Sequence, residues 1–204
     1  MDLNFSDFTP TQIYHLMTQT IVPRPIAWVL TDSGNENYNL APFSYFTAVS
    51  SAPALMMFSV GKKPTGEVKD TVKNIMKTKQ CVIHIASIDD ANMVTQTAAT
   101  LEHGESEVSA NNISLTEFKG ADLPRVAGCK LAFGCELYEI KEMGDVPQTL
   151  VFVKINTLYI DDEVVELDEK NRIKVAADKV NPLARLGGGE YSGIVDPFSV
   201  IRPD

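Results

Sequence analysis

Three separated segments of the chain carry residue types that together could bind an anion. Arg24 lies between two prolines, which stiffen the backbone and hold the arginine in place. Ser50 and Ser51 offer hydroxyl groups, and Lys69-Asp70-Thr71 begins a predicted helix whose free N–H groups and positive dipole end favour an anion. Because arginine binds phosphate through paired bonds and hydroxyl groups donate further ones, the combination predicts a phosphate site. A surface ion pair for Arg24 and a plain first-turn position for Thr71 are the simpler alternatives.

The stretch Asn39–Pro53, N-L-A-P-F-S-Y-F-T-A-V-S-S-A-P, has an unusual composition. It begins like a strand, but Pro42 removes a backbone donor and the later residues do not alternate between polar and apolar. Tyr45 and Phe46 add flat apolar surface among small and hydroxylated residues. This composition favours a groove for a flat ligand that carries both a ring and polar groups. Taken alone, the stretch fits an edge strand with a proline bulge at least as well.

The length and composition are those of an ordinary globular protein with one hydrophobic core. The 204 residues are too few for two comfortable domains, so we predict a single domain over residues 1–204. The net charge of −9 argues against a nucleic-acid partner, because binding the phosphate backbone requires a basic face. A small anionic ligand needs only a few local cations and is compatible with this charge.

Cysteine usage and the length of the apolar runs indicate a soluble protein of a reducing compartment. The three cysteines, Cys81, Cys129 and Cys135, include no C-x-x-C pair. Cys129 and Cys135 would share one face of an extended strand, and we interpret them as small core residues. The N-terminus lacks the layout of a signal peptide, and the apolar runs are far shorter than the roughly 20 residues that span a bilayer. We therefore predict a cytoplasmic protein without a membrane segment.

Local patterns predict a chain made mostly of strands, with helices inserted in its first half. Thr9-Pro10-Thr11-Gln12 has the composition of a capping box, and Ile13, Leu16 and Met17 predict one buried stripe on the helix that follows. Asp70 is expected to be the N-cap of the next helix. Further helices are expected over Thr71–Lys79 and after Asp89, the latter with Ala91, Val94, Ala98 and Leu101 on one face, and a basic loop is expected over Gly61–Gly66. The expected strands are Ile21–Thr31, a strand from Tyr38 onward, Ala54–Val60, Gln80–Ser87, Val126–Lys141 and Gln148–Asp161.

The order of these elements decides between the sheet architectures. About six strands are joined by turns or helices, without the regular strand–helix–strand alternation that builds parallel sheets. The two long strands near the C-terminus are separated only by a turn, which is typical of an antiparallel pair. We predict a mainly β protein whose strands form a closed antiparallel Greek-key barrel, with short flanking helices.

Three blocks of sequence together resemble the flavin reductase-like family of FMN-binding split barrels. They are P-R-P-I-A-W-V-L-T at Pro23–Thr31, N-L-A-P-F-S-Y-F at Asn39–Phe46 and K-D-T-V-K-N-I at Lys69–Ile75. The resemblance continues through Cys81–Ile85, Ser106-Glu107 and P-L-A-R-L-G-G at Pro182–Gly188, and it covers most of the chain in the same order. It implies a six-stranded antiparallel split barrel that forms a homodimer, with FMN bound at or near the dimer interface.

The resemblance also implies roles for individual residues around the flavin. Arg24 and the helix start Lys69-Asp70-Thr71 would meet the phosphate and ribityl end, and Ser50 and Ser51 would serve the same end. The isoalloxazine ring would lie against the central stretch, whose backbone groups would read its pyrimidine edge. The residues of that stretch are Asn39, Ala41, Pro42, Phe43 and Ser44.

The C-terminal stretch Pro182–Tyr191 has no periodicity suited to a core of its own. We predict a symmetric homodimer in which this stretch reaches the flavin site of the neighbouring subunit, so that Arg185 or Tyr191 approaches the ring. Twofold pairing is the commonest assembly of soluble chains, and a partner would cover the aromatic surface beside the groove. A loop packed on its own barrel is the alternative.

The histidines are not assigned to the chemistry. His84 stands where the family commonly has asparagine, and as a lone histidine in an apolar strand we interpret it as a packing residue. His103 lies in a polar loop and is expected to be solvated. No H-E-x-x-H motif or closed set of cysteines and histidines predicts a metal site.

The predicted activity depends on the cofactor rather than on a catalytic side chain. A flavin accepts hydride itself, so the protein has to bind, orient and shield it. We predict an oxidoreductase in which NADH or NADPH delivers hydride to FMN, with a flavin-dependent oxygenase as a candidate consumer of the reduced flavin. The alternatives are a flavin-binding electron carrier without NAD(P)H activity and an oxidase of the pyridoxamine phosphate type. No sequence motif decides between NADH and NADPH.

Overall fold

The computed structural model describes residues 1–102, 104–201 and 203, so the prediction for His103 lies outside the described residues. The elements up to residue 85 are α1 (Pro10–Thr20), β1 (Arg24–Pro25), β2 (Ala27–Gly34), β3 (Asn37–Phe43), β4 (Phe46–Ser51), β5 (Ala54–Val60), α2 (Asp70–Thr78) and β6 (Gln80–Ile85). The later elements are α3 (Ala91–Gln96), α4 (Glu107–Ala110), β7 (Leu115–Thr116), β8 (Arg125–Val126), β9 (Leu131–Met143), β10 (Gln148–Ile160), β11 (Val165–Leu167), β12 (Ile173–Val175), α5 (Ala177–Val180), β13 (Ala184–Arg185) and β14 (Tyr191–Ser192).

A seven-stranded sheet in the order β3-β2-β6-β9-β10-β5-β4 forms the centre of the fold, and every neighbouring pair in it is antiparallel. The edge strands β3 and β4 follow each other in the chain and are separated only by Ser44 and Tyr45. The carbonyl of Tyr45 accepts a hydrogen bond of 2.8 Å from the amide of Ser59 in β5, so pairing to β5 begins before β4. Because one bent strand supplies both edges, the sheet curls into a barrel.

The mainly β, antiparallel architecture predicted from the sequence is confirmed. The sheet has seven strands and not the predicted six, because the stretch predicted as one strand is divided into β3 and β4 at Ser44 and Tyr45. The bend follows Pro42, whose missing N–H cannot donate to a neighbouring strand. Smaller sheets, formed by β1-β13-β14, β11-β12 and β7-β8, flank the barrel.

The central strands are buried on both faces, which explains their nearly continuous apolar sequence. In β2, Trp28 and Leu30 belong to one hydrophobic cluster together with Val82 of β6. Val29 of β2 belongs to a second cluster together with Ile83 of β6. Since successive side chains of a strand point to opposite faces, β2 and β6 separate two halves of the core.

Helix α1 begins with the predicted capping box. The amide of Gln12 donates to the hydroxyl of Thr9 at 3.4 Å, and the amide of Thr9 donates to the side chain of Gln12 at 2.9 Å. The predicted stripe of Ile13, Leu16 and Met17 is only half-buried. The helix lies on the surface, so the expected full burial of this stripe is wrong.

Two of the predicted strands are each divided into separate elements. The predicted strand Ile21–Thr31 divides into β1 and β2, because its proline-rich start cannot complete a ladder and β1 pairs with β13 outside the barrel. The predicted strand Val126–Lys141 divides into β8 and β9 at a turn that contains Gly128 with φ of +81°. Cys129 lies in this turn and therefore shares no strand with Cys135, although both are buried as predicted.

His84 in β6 is a fully buried packing residue, as predicted. Its Nδ1 lies 3.0 Å from the carbonyl of Trp28, and its Nε2 accepts a hydrogen bond of 2.9 Å from the amide of Val126. Because Nε2 is an acceptor, Nδ1 carries the proton and donates to Trp28. Burial lowers the pKa of His84 to about 4, so the ring is neutral at physiological pH.

None of the helices in the described ranges has the length and apolar character needed to cross a membrane. Within the same ranges, no group of three or more histidine, cysteine, aspartate or glutamate residues could hold a metal ion.

Candidate functional site

A cleft of about 80 Å³ opens where the edge of β3 meets the N-terminus of α2. The turn after α3 and the start of α4 form its other sides. Part of the sequence-predicted site comes together here, namely Asn39, Ala41, Pro42, Lys69, Asp70 and Thr71. The remaining lining residues are Lys63, Thr97, Ala98, Ala99, Thr100, Leu101 and Glu107.

The N-terminus of α2 is fixed against β3 by a hydrogen bond between two side chains. The amide of Asn39 donates to the hydroxyl of Thr71 at 3.0 Å, and both residues are buried. Lys69, and not Asp70 as predicted, is the N-cap residue, and its side chain makes no capping hydrogen bond. The first N–H groups of a helix have no partners within the helix, and they make this end of the helix positive. Because Lys69, Asp70 and Thr71 line the cleft, the positive end of α2 borders it.

Two lysines supply positive charge beside this helix terminus. Lys63, from the loop after β5, forms an ion pair of 2.6 Å with Asp70. The ammonium group of Lys69 lies 5.7 Å from the ring centre of Phe43. Burial, followed by repulsion from Lys63, lowers the pKa of Lys69. Cations beside the positive end of a helix make this corner of the cleft suited to an anion.

The start of α4 covers part of the outer edge of β3. The hydroxyl of Ser106 donates to the carbonyl of Tyr38 at 2.5 Å, and the amide of Leu40 donates to the carboxylate of Glu107 at 3.0 Å. Alternate residues of a strand present their backbone groups to the same edge, so Tyr38, Leu40 and Pro42 face away from β2. Pro42 has no N–H to leave unpaired at this edge. The edge beyond Leu40 therefore borders the cleft.

Glu107 is an enclosed carboxyl group, 6% exposed. Burial raises its pKa, the hydrogen bond from Leu40 opposes that shift, and the negative charge of Asp70 adds to it. Glu107 thus holds a proton more readily than a carboxylate at the surface does.

Phe43 and Ser44 belong to the predicted ring-binding stretch but do not line the cleft. Phe43 is buried and lies against Phe58, with ring centres 5.4 Å apart and planes tilted by 32°. The hydroxyl of Ser44 accepts a hydrogen bond of 3.4 Å from the side chain of Arg24. Internal contacts therefore hold both residues at the border of the site.

The guanidinium group of Arg24 is held by backbone carbonyls and does not line the cleft. It donates to the carbonyls of Thr18, Ile21 at 2.9 Å and Leu186 at 2.8 Å, and the residue is 5% exposed. Arg24 thereby joins the end of α1 to the C-terminal part of the chain. Four of the five N–H groups of the guanidinium are used in this way, and its contact with a phosphate stays a prediction.

Ser50 and Ser51 lie in the exposed strand β4 and do not line the cleft. The hydroxyl of Ser50 accepts a hydrogen bond of 3.2 Å from the amide of Ala52. A contact with the ribityl and phosphate end of a flavin stays a prediction for both serines.

The C-terminal stretch packs on its own barrel, which is the alternative to the predicted reach towards a neighbour. β13 pairs with β1, with Arg185 opposite Arg24, and so satisfies backbone groups that β1 would otherwise expose. The guanidinium of Arg185 lies 4.5 Å from the ring centre of Tyr191, whose hydroxyl accepts a hydrogen bond of 3.0 Å from Thr95. The approach of Arg185 or Tyr191 to a partner's flavin stays a prediction.

A sequence model of the flavin reductase-like domain matches residues 18–174 of this chain. The match contains every residue that lines the cleft. The chain belongs to the flavin reductase-like family. This membership confirms the resemblance identified from the sequence blocks around Arg24, Pro42 and Asp70.

Solved structures of other proteins share the fold of this flavin reductase-like chain over almost its whole length. Nitrilotriacetate monooxygenase component B from Bacillus cereus is 28% identical, with a TM-score of 0.88 and 98% of each chain covered. The 2-nitrobenzoate 2-nitroreductase NbaA from Pseudomonas fluorescens is 29% identical, with a TM-score of 0.87 over 100% of this chain and 96% of that one. A split-barrel protein from Shewanella frigidimarina is 19% identical, with a TM-score of 0.83 over 99% of this chain and 100% of that one, and shows the fold alone.

Two charged residues of the flavin reductase-like cleft were not predicted from the sequence as site residues. Lys63 belongs to the basic loop Gly61–Gly66, whose charge was a signal, but nothing local identifies Asp70 as its partner. Glu107 belongs to the Ser106-Glu107 segment of the family resemblance, which was a signal without an assigned role. Lys63 contacts Asp70 seven residues later, whereas Glu107 enters the site through a contact with Leu40 that is distant in sequence.

The turn Thr97–Leu101 is a further part of the cleft that the sequence did not indicate. The apolar spacing after Asp89 predicts a helix that includes Leu101, but α3 ends at Gln96. The hydroxyl of Thr97 accepts a hydrogen bond of 2.9 Å from the indole of Trp28. This long-range contact fixes the turn and directs the following residues towards the cleft.

Proposed function

We propose that this flavin reductase-like chain binds FMN in the cleft and is an NAD(P)H:flavin oxidoreductase. The observation that carries the proposal is that one cleft joins the N-terminus of α2, two lysines and the open edge of β3. The helix terminus and the cations suit a phosphate, and the strand edge suits a ring with polar groups. Family membership and the likeness to proteins named as a monooxygenase component and a nitroreductase support redox chemistry.

In this proposal the phosphate of FMN lies at the start of α2. The ammonium group of Lys69 and the first N–H groups of the helix bind it, and Lys63 adds charge from the loop after β5. The bond from Asn39 to Thr71 keeps this helix end at a constant distance from the strand edge. The predicted role of Lys69-Asp70-Thr71 is kept, whereas Arg24 acts as a structural support behind Ser44.

The isoalloxazine ring lies against Ala41 and Pro42, which offer apolar surface, and Pro42 has no N–H group. The backbone groups of Asn39–Ser44 that face away from β2 read the polar edge of the ring. When bound, FMN supplies the hydride acceptor. The chain contributes binding, orientation and exclusion of water, which fits a cleft without a nucleophile–base pair among its described residues.

We further propose a homodimer whose interface contains β4. Five of the six residues of this edge strand are exposed, and none of them is charged. Uncharged, exposed edge strands pair with other chains unless something covers them. Such an interface would bring Ser50 and Ser51, or Arg185 and Tyr191, to the partner's flavin. Sedimentation of the FMN-loaded protein tests the dimer, since a species of 22.4 kDa at micromolar concentration contradicts it.

Two measurements, made one after the other, test the proposed activity. Calorimetry with FMN comes first, and a failure to bind at neutral pH contradicts the whole proposal. Anaerobic stopped flow of the FMN-loaded protein with NADH, and then with NADPH, follows, and we expect one of them to bleach the flavin absorbance band. Binding without bleaching by either nucleotide would instead support a flavin-binding electron carrier.

A second candidate function is the direct reduction of an aromatic nitro compound by FMN that stays bound. The likeness to the 2-nitrobenzoate 2-nitroreductase NbaA, at 29% identity over the whole chain, favours it. The likeness to a monooxygenase component B favours instead the export of reduced flavin to an oxygenase. Gel filtration of the reduced protein separates the two, because exported flavin leaves with the small molecules. Turnover of 2-nitrobenzoate by protein that keeps its flavin would support the second candidate.

A further inference from the structure

Glu107 is a carboxyl group inside a cleft that otherwise suits an anion. Its carboxylate accepts the amide of Leu40 at 3.0 Å, and the neighbouring residue of β3, Asn39, holds the hydroxyl of Thr71 at 3.0 Å. The first turn of α2 and the carboxylate of Glu107 are therefore tied to consecutive residues of one strand. A ligand bound at the start of α2 lies in the same cleft as Glu107.

The charges that the structure describes around Glu107 oppose each other, because Asp70 raises its pKa and Lys63 lowers it. Two elements that pack against it carry charge: the loop after β5 contributes Lys63, and α2 contributes Lys69 and Asp70. Lys63 is already paired with Asp70 at 2.6 Å. The stretch Asn39–Pro42 and the turn 97–101 carry no charged residue. No ion pair of Glu107 is present among the described residues.

A phosphate monoester brings up to two negative charges into this cleft. Lys69 and the end of α2 can balance them, but the carboxylate of Glu107 then faces an anion in an enclosed site. Like charges at short range raise each other's pKa. Because Lys69 and the end of α2 stabilise the charged form of the phosphate, the proton goes to Glu107 and not to the phosphate. A protonated Glu107 can keep the amide of Leu40 on its carbonyl oxygen and donate its new O–H into the cleft.

We propose that Glu107 takes up one proton from solvent when a phosphate-bearing flavin binds, so that FMN binding by this chain is linked to pH. The inference rests on the proposed function, because it places the FMN phosphate beside α2. The carboxylate and the proton combine into a neutral carboxyl group, and no bond of the ligand is made or broken. Riboflavin, which carries no phosphate, binds the same cleft without this uptake.

The linkage has a defined direction. FMN binding falls as the pH rises, because an ionised Glu107 opposes the phosphate. Where a full proton is taken up, the dissociation constant rises about tenfold for each unit of pH, and it levels off where Glu107 is protonated in both states. Glu107 and the FMN phosphate titrate as a coupled pair, so the proton count shows that Glu107 takes part, and the infrared band of its carboxyl group assigns the proton to it.

Glu107→Gln is the informative substitution, because the amide keeps an acceptor for Leu40 and removes the charge. Glu105→Gln is the matched control, since Glu105 lies in the same segment but is exposed. Calorimetry of FMN and of riboflavin, in buffers of different ionisation enthalpy, counts the protons taken up on binding. We expect wild type and Glu105→Gln to take up more protons with FMN than Glu107→Gln does. With riboflavin the three proteins should take up equal numbers of protons.

Equal proton counts for wild type and Glu107→Gln with FMN would overturn the inference and leave the proposed function standing. A protein that binds no FMN at any pH would overturn both. Infrared difference spectra of wild type with carbon-13-labelled glutamate assign the proton, and they also serve if Glu107→Gln does not fold. A labelled, protonated carboxyl band that develops with FMN and not with riboflavin supports the inference, and its absence overturns it.

Discussion

The side-chain amide of Asn39 donates a hydrogen bond of 3.0 Å to the hydroxyl of Thr71, and this contact joins the edge of the barrel to the first turn of α2. Thr71 is only 1% exposed, so its hydroxyl has no solvent to replace a lost donor. The relative position of the strand edge and the helix terminus, on which the proposed FMN site depends, is set at this point.

Removing this contact should cost both stability and FMN affinity. Asn39→Ala should destabilise the fold by about 1–3 kcal/mol, because a buried hydroxyl loses its partner. Thr71→Val combined with Asn39→Ala should cost less than the sum of the two single changes, by about 1 kcal/mol. Urea denaturation of the four proteins measures this coupling. Strict additivity would show that the hydrogen bond does not tie the two elements.

Arg24 should behave as a structural residue. Arg24→Ala removes donors from backbone carbonyls of α1 and of the C-terminal part, and we expect a loss of about 3 kcal/mol or more. The affinities for FMN and for riboflavin should fall by equal factors, because in the proposed site Arg24 does not contact the phosphate. Denaturation and calorimetry of both ligands check this. A selective loss of FMN affinity at unchanged stability would show instead that Arg24 binds the phosphate.

Lys69 should distinguish FMN from riboflavin. Lys69→Gln removes one charge from the proposed phosphate site and should weaken FMN binding roughly tenfold, which corresponds to about 1.4 kcal/mol. Riboflavin affinity should change much less. Lys77→Gln, an exposed position on the same helix, is the control for charge at a distance. If the two variants lose equal FMN affinity, the charge of α2 as a whole matters and the local contact does not.

His84 should make the fold acid-sensitive. Its pKa is about 4 in the folded protein, below the usual value of 6.5, so the unfolded chain binds its proton first as the pH falls. The stabilisation is complete above pH 6.5 and is lost between pH 6.5 and 4, by about 3 kcal/mol in total.

Denaturation across this range measures the effect. His84→Asn should be less stable at pH 7 but should lose less stability towards pH 4 than wild type does. His15→Asn, at an exposed histidine, should keep the wild-type slope. An unchanged slope in His84→Asn would mean that other groups cause the acid sensitivity.

The sequence by itself determined the elements whose signals are local. The capping box of Thr9 and Gln12, the strand Ala54–Val60 and the helix after Lys69 depend on residues within a few positions of each other. The burial of His84 followed from the apolar strand around it. The family blocks also contain the strand edge and the helix start that line the cleft, which is why part of the site could be predicted.

Only the tertiary structure decided which partners these residues take. The sequence predicted a phosphate contact for Arg24, and only the fold shows that the carbonyl of Leu186, far along the chain, accepts one of its hydrogen bonds. Glu107 became part of the cleft because α4 folds over the amide of Leu40. Hydrogen-bonding groups of a side chain are satisfied by whichever partners the folded chain places beside them, and such long-range proximity leaves no periodic pattern in the sequence.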